Sequence, residues 1–349
     1  SHLWARLTPS ALVVTHAVLC LYSTTSTSAT YDEATYLAGG YSRWTRSDYR
    51  INCESGDLPQ LWLSLPLLVM QPTMVTEESE EWRKADARAI GFKLLFRSGR
   101  DATMLLVSCR LMNVALSTTM SIALFLIVKK RSGHVPAQCS LALYAFCPTI
   151  IAHASVATSD IAACVAFFGV AVTAPMLMDK FSLRRCLYGA AAFGLLALCK
   201  MSFLVAIPML LAFLATVLVL SVFAKNASLY RPFRESSWYL IARTTAAVMV
   251  TYVIICIALI WTIHRFHFPA TPPSCQHGKS MLYGDTIDTL SANTYAGSII
   301  QRLAALRILP QGYLHGIAFT LRHASHRPCF LFGEYSDNGF AAFFPVTFV

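Results

Sequence analysis

A chain of 349 residues with 56% hydrophobic and 13% charged side chains and a mean hydropathy of +0.53 is too apolar for an ordinary soluble domain, where charged residues make up about 25%. The formal charge of +10 does not point to nucleic acid, because Lys and Arg fall in short clusters between apolar runs and form no basic face with interleaved aromatics. The eleven Cys residues show no CxxC or Cys/His ligand spacing, and most lie in or beside apolar runs, so they read as small hydrophobes and no metal site or cofactor is expected.

The predicted fold is all-α and polytopic, counted against the roughly 20 apolar residues a spanning helix needs. A short first span covers Leu7–Tyr22. Thr103–Val128, Val135–Ala152, Ile161–Met178, Leu187–Phe223 and Thr244–Ile263 follow. The run from Leu187 is too long for one helix and holds Lys200, so it is split near "CKMS" at 199–202, which gives seven spans. Orientation supports the split. The basic connections at 129–134, 179–185 and 225–243 then all fall on one side, the cytoplasm by the positive-inside rule. Residues 23–102 become a first extracytoplasmic loop, 103–263 the helical bundle and 264–349 an extracytoplasmic segment. A multi-pass inner or plasma membrane protein is expected. The chain opens on Ser and closes inside "FFPVTFV", and a fragment or truncated product is expected. No internal repeat or low-complexity segment is visible.

Within the long loop, "YDEATYLAGGY" begins at Tyr31, just after a Ser/Thr-rich stretch suited to helix capping. "LPQLWLSLPLLVM" is apolar but cut by prolines, and is expected to lie along the interface with Trp62 at headgroup level. "SEEWRKADARAIGFKLLFRSG" reads as one amphipathic helix, acidic at its start and basic near its end.

Six positions stand out chemically. Asp32 and Glu33 open a helix at the membrane face, where they act either as N-terminal acids or as a general base toward an acceptor hydroxyl. Arg110 lies about eight residues into the second span, roughly 12 Å of helical rise. Such a charge costs about 2.5–3.5 kcal/mol unless it snorkels or finds a partner, and a guanidinium is a natural ligand for phosphate. Lys200 carries the same two readings. Asp160, with His153 nearby in sequence, is either a helix cap or part of the same outer site. A base, one or two cations and an apolar bundle suit a substrate that is half lipid and half phosphate.

In order along the chain, "YDEATYLAGGYSRWTRSDYRINCESGDLPQLWLSLPLL", Arg110 in "SCRLMN", "CPTIIAHASVATSDIAA", "LALCKMSFLVAIP", "ILPQGYLHG" and "FLFGEYSDNGFAAFFPVTF" resemble the polytopic glycosyltransferases that use polyprenyl-phosphate sugars, the superfamily of the protein O-mannosyltransferases and the lipid A aminoarabinose transferases. The resemblance implies inverting transfer of a sugar from a polyprenyl-phosphate donor to an acceptor hydroxyl on a protein, lipid or glycan. It also implies Asp32 as catalytic base with Glu33 as its neighbour, Arg110 and Lys200 on the donor phosphate, and Asp160 and His153 lining the donor site. The pattern departs from the family at Tyr36, where relatives often carry His. The alternative is a transporter or a catalytically silent membrane subunit, in which Arg110, Lys200 and Asp160 line a pathway or form a structural ion pair. The sugar, the acceptor and a disulfide between Cys275 and Cys329 stay open.

Overall fold

The structure is a computed structural model, and it describes residues 2–179, 182–223, 238–271, 295–324 and 328–347. The described chain is helical almost throughout. In chain order the helices are α1 (His2–Ser26), α2 (Tyr31–Arg46), α3 (Asp57–Leu63), α4 (Leu65–Met70), α5 (Glu80–Arg83), α6 (Ala87–Phe96), α7 (Ala102–Ser132), α8 (His134–Ala145), α9 (Pro148–Ala154), α10 (Asp160–Asp179), α11 (Leu183–Cys199), α12 (Phe203–Phe223), α13 (Trp238–Ile263), α14 (Tyr295–Ala305), α15 (Gln311–Ala324) and α16 (Phe343–Thr347). Among the described residues the strands form one hairpin, β1 (Cys329–Leu331) and β2 (Glu334–Ser336), antiparallel with Phe330 opposite Tyr335.

Three helices are long and apolar enough to cross a bilayer: α7, Asp160–Leu177 in α10 and Thr245–Ile263 in α13. These make it a membrane protein by length and composition. The α8–α9 pair adds a fourth if its 60° bend is counted within one span, so the seven expected spans are not reached among the described residues. The reasons are local. The expected first span falls in α1, which is diluted by His16, several hydroxyls and Pro9. The run split at Lys200 gives α11, whose 17 residues carry Arg184 and Arg185 in the first turn, and α12, a 21-residue apolar helix of which the stretch Phe203–Ala212 lies wholly among the described residues.

Helix α1 packs against α7 and α8, α10 against α11, and α11 against α13. The first of these contacts carries a buried polar thread. His16 Nε2 lies 2.9 Å from Ser117 Oγ, which lies 2.9 Å from Tyr144 Oη. Residues 31–96 form a layer that packs against α7 and α11. Its core is built from Leu37, Ile51, Leu63, Leu67, Trp82, Ile90 and Leu94, together with Leu105 and Cys109 of α7. Gly91 lets α6 approach α2 so closely that a Cβ there would sit 2.4 Å from the Ala34 carbonyl oxygen.

One expectation for this layer changes. The single amphipathic helix over 79–99 is two helices, because Ala85 takes a positive φ of 51° and Asp86 then caps α6 by accepting from the Arg88 and Ala89 N–H groups. Trp62 is exposed, and its indole N–H donates to the Met112 carbonyl of α7 at 3.1 Å. The indole is therefore held against the bundle. Cys275 lies outside the described residues, and Cys329 is a free thiol.

Candidate functional site

The acidic pair that opens α2 is divided by helix geometry. Adjacent residues point roughly 100° apart around an α-helix, so one carboxylate turns inward and the other outward. Glu33 is fully buried. Its Oε1 accepts from Arg110 Nε and the Ala157 N–H, both at 2.7 Å. Its Oε2 accepts from Arg110 Nη2 at 2.7 Å, the Thr30 N–H at 2.8 Å and Thr30 Oγ at 3.0 Å. Burial alone pushes the carboxyl up, but the Arg110 guanidinium and the two backbone N–H groups outweigh it and hold Glu33 below its usual range.

Arg110 is equally committed. Nη1 donates to the Thr24 and Thr27 carbonyls at 2.8 and 2.9 Å, and Nη2 also donates to the Ser28 carbonyl at 2.7 Å. A guanidinium has five N–H donors, and all of these meet acceptors within the protein. The role of phosphate ligand expected for Arg110 therefore finds no free donor. The catalytic part expected of Glu33 likewise finds no open oxygen. Together the two side chains pin the outer end of α1, the start of α2, α7 and the 155–159 turn to one point. A groove of about 290 Å³ lies beside them, with Thr24, Thr27 and Ser28 on one wall and Leu95, Phe96 and Leu106 on the other.

Asp32 is exposed. It shares a helix face with Tyr36 one turn on, and the Tyr36 phenol, buried and pushed up in pKa by that burial, lies 2.8 Å from Ser159 Oγ. The next residue is Asp160, and here three of the expected positions meet. Asp160 Oδ1 accepts from Lys200 Nζ at 2.6 Å, while Oδ2 accepts from Thr158 Oγ at 3.1 Å and lies 3.4 Å from His153 Nδ1. Lys200 reaches it from an extended linker between α11 and α12, with backbone φ −161°. Its side chain is 40% exposed, and Asp160 takes one of its three donors. The structure thus divides the expected site into a sealed pair, Glu33 and Arg110, and a water-facing group of Asp160, Lys200 and His153. Asp32 stands on the α2 face that approaches that group through Tyr36.

A second buried network was not anticipated from sequence. Arg43 Nε donates to Asp57 Oδ1 at 2.9 Å, and His264 Nε2 lies 3.1 Å from Asp57 Oδ2. Arg43 Nη1 serves the Ile51 carbonyl and Gln60 Oε1 at 2.9 and 3.0 Å. Tyr49 stacks on His264 with ring centres 4.2 Å apart and donates to the Ile263 carbonyl at 2.8 Å. Burial pushes Asp57 up, but the Arg43 and His264 charges and hydrogen bonds bring its pKa to about 2. Arg43, Asp57 and His264 each stand among other polar residues in the sequence, so none is singled out locally. Their partnership spans 14 and 207 positions, which no local pattern exposes.

Among the described residues no group of three or more His, Cys, Asp or Glu side chains could hold a metal ion. The fold and site define a helical membrane protein with a partly exposed polar cluster where α9, α10 and α11 meet. No family model, no curated protein and no solved structure matches the chain.

Proposed function

We propose that the chain is a membrane glycosyltransferase that moves a sugar from a polyprenyl-phosphate donor to an acceptor hydroxyl at the extracytoplasmic face. The observation that carries the reading is the division of labour within the acidic pair. Glu33 anchors α2 through Arg110, and the neighbouring Asp32 is left exposed on the helix face that Tyr36 connects to Ser159, next to Asp160 and Lys200.

In this reading Asp32 takes the proton of the acceptor hydroxyl as its oxygen attacks the anomeric carbon. The bond from that carbon to the donor phosphate oxygen breaks, and polyprenyl phosphate leaves from the opposite face, so the configuration inverts. Phosphate leaves without protonation if its growing charge is balanced. Lys200, oriented by Asp160 and still holding free donors, supplies that balance. Arg110 is a positioning residue, fixing Asp32 through Glu33, and His153 adjusts the charge on Asp160. The acceptor is a protein, lipid or glycan hydroxyl.

The test is transfer of labelled sugar from a polyprenyl-phosphate donor in proteoliposomes. Asp32→Asn is expected to lower turnover by roughly 10²–10⁴-fold, the usual weight of a general base, with membrane insertion unchanged. Lys200→Ala is expected chiefly to raise the donor KM. Full activity in Asp32→Asn would overturn the assignment of the base. Absence of transfer by the wild-type chain with any lipid-linked sugar would favour a catalytically silent subunit.

A further inference from the structure

Helix α7 ends in Lys129, Lys130 and Arg131, and cations there partly follow the general preference of a helix C-terminus. Arg131 is tied to the Val172 carbonyl at 3.1 Å. Lys129 is placed differently. Its ammonium lies 5.6 Å from the centre of the Phe125 ring, and the His134 ring that opens α8 meets Phe125 edge-on at 5.8 Å. All three border a groove of about 460 Å³ between α1, α7 and α8, in which none of the nine lining residues is acidic.

Each helix gives the groove one stripe. Ile122, Phe125 and Lys129 share a face of α7 at helical spacing, as do Ser10 and Val14 on α1 and His134 and Leu141 on α8. In every stripe the polar member stands at the same end. The seven steps of helical rise from Ile122 to Lys129 give an apolar slot about 10 Å long, open to the bilayer along Val14 and Ile122, which are 61% and 44% exposed. Its volume falls in the range of small-molecule sites, about 300–1,000 Å³.

We propose that this groove is a binding site for an anionic phospholipid, with one acyl chain along Val13, Val14, Ile122 and Leu141 and the phosphate held between Lys129 and His134. The complementarity runs at both ends. The walls suit hydrocarbon, which a soluble phosphate does not have, and the rim suits an anion, which a neutral lipid does not present. The basic end of α7 faces the cytoplasm by the positive-inside rule, and that leaflet carries the anionic lipids. The inference is independent of the transfer chemistry proposed above.

The test uses the full chain in nanodiscs of phosphatidylcholine containing a minority of phosphatidylserine, with retained lipid counted by native mass spectrometry. The wild type is expected to keep phosphatidylserine over phosphatidylcholine. Lys129→Ala should lower that preference about fivefold, the weight of one basic residue near an anionic surface, whereas Lys130→Ala, off the groove, should leave it unchanged. Val14→Trp should fill the slot and reduce retained lipid of both kinds. Equal losses in Lys129→Ala and Lys130→Ala would mean diffuse surface charge and overturn the site, as would displacement of the lipid by inorganic phosphate or no preference in the wild type. Circular dichroism checks each variant's fold. If Lys129→Ala does not fold, Lys129→Gln is read in its place, and restored preference in Lys129→Arg is the expected control.

Discussion

Two carboxylates side by side in α2 have opposite fates, and the cause is what each one touches. Removing one partner of the Glu33–Arg110 pair leaves a buried charge with nothing to neutralise it, so Glu33→Ala is expected to destabilise the protein by about 3–5 kcal/mol. The double substitution Glu33→Met with Arg110→Met is expected to recover much of that loss, since a buried pair repays little beyond its own desolvation. Thermal melting in detergent checks both variants. Acid adds a second test. Glu33 and Asp57 have folded-state values below their ordinary 4.5 and 3.8. Their contribution is therefore complete above those ordinary values and is lost as pH falls through the folded ones, which lie near 2 for Asp57. The melting temperature should be level from neutral pH down to about 5 and fall steeply below about 4.

The start of α2 was legible because Thr30 and Glu33 interact across three residues, and that spacing is a property of any helix terminus. The middle of α2 was not legible, because what it needs is set by a neighbour. Gly39 and Gly40 face α3, and a Cβ on Gly40 would lie 2.0 Å from the Gln60 carbonyl oxygen. Backbone cannot step aside as a flexible side chain does. Gly40→Ala is therefore expected to separate α2 from α3 and cost at least about 1–3 kcal/mol. Gly99→Ala, where a Cβ meets nothing within 4 Å but φ is +76°, should cost only the backbone strain, about 1 kcal/mol. Melting curves of the two variants separate crowding from conformation. The break at Ala85 shows the same limit: its helical periodicity was readable, whereas the positive φ that interrupts it was not.

At the scale of the whole molecule, apolar run length identified the membrane class and three of the spans, and fewer than the seven expected spans are found among the described residues. His16, Pro9 and the hydroxyls of α1 weaken the first, and α11, the first half of the run split at Lys200, has 17 residues with two arginines in its first turn. Lys200, Asp160 and His153 were each readable as polar residues at the ends of apolar segments; their meeting depends on how three helix ends converge. The tie of His264 to Asp57 joins the end of α13 to the first loop. His264→Ala is expected to raise amide hydrogen exchange over residues 47–60 while leaving α7 protected. Exchange confined to residues near 264 would show that the tie carries no long-range order. The Glu33 knot also has a history in time. A ribosome makes Glu33 first, Arg110 77 positions later and Ala157 124 positions after Glu33. The carboxylate must therefore wait, hydrated, while several later helices emerge. A nascent chain halted before residue 157 holds an unfinished knot, so α2 can lock only after the membrane has received the segments that complete it.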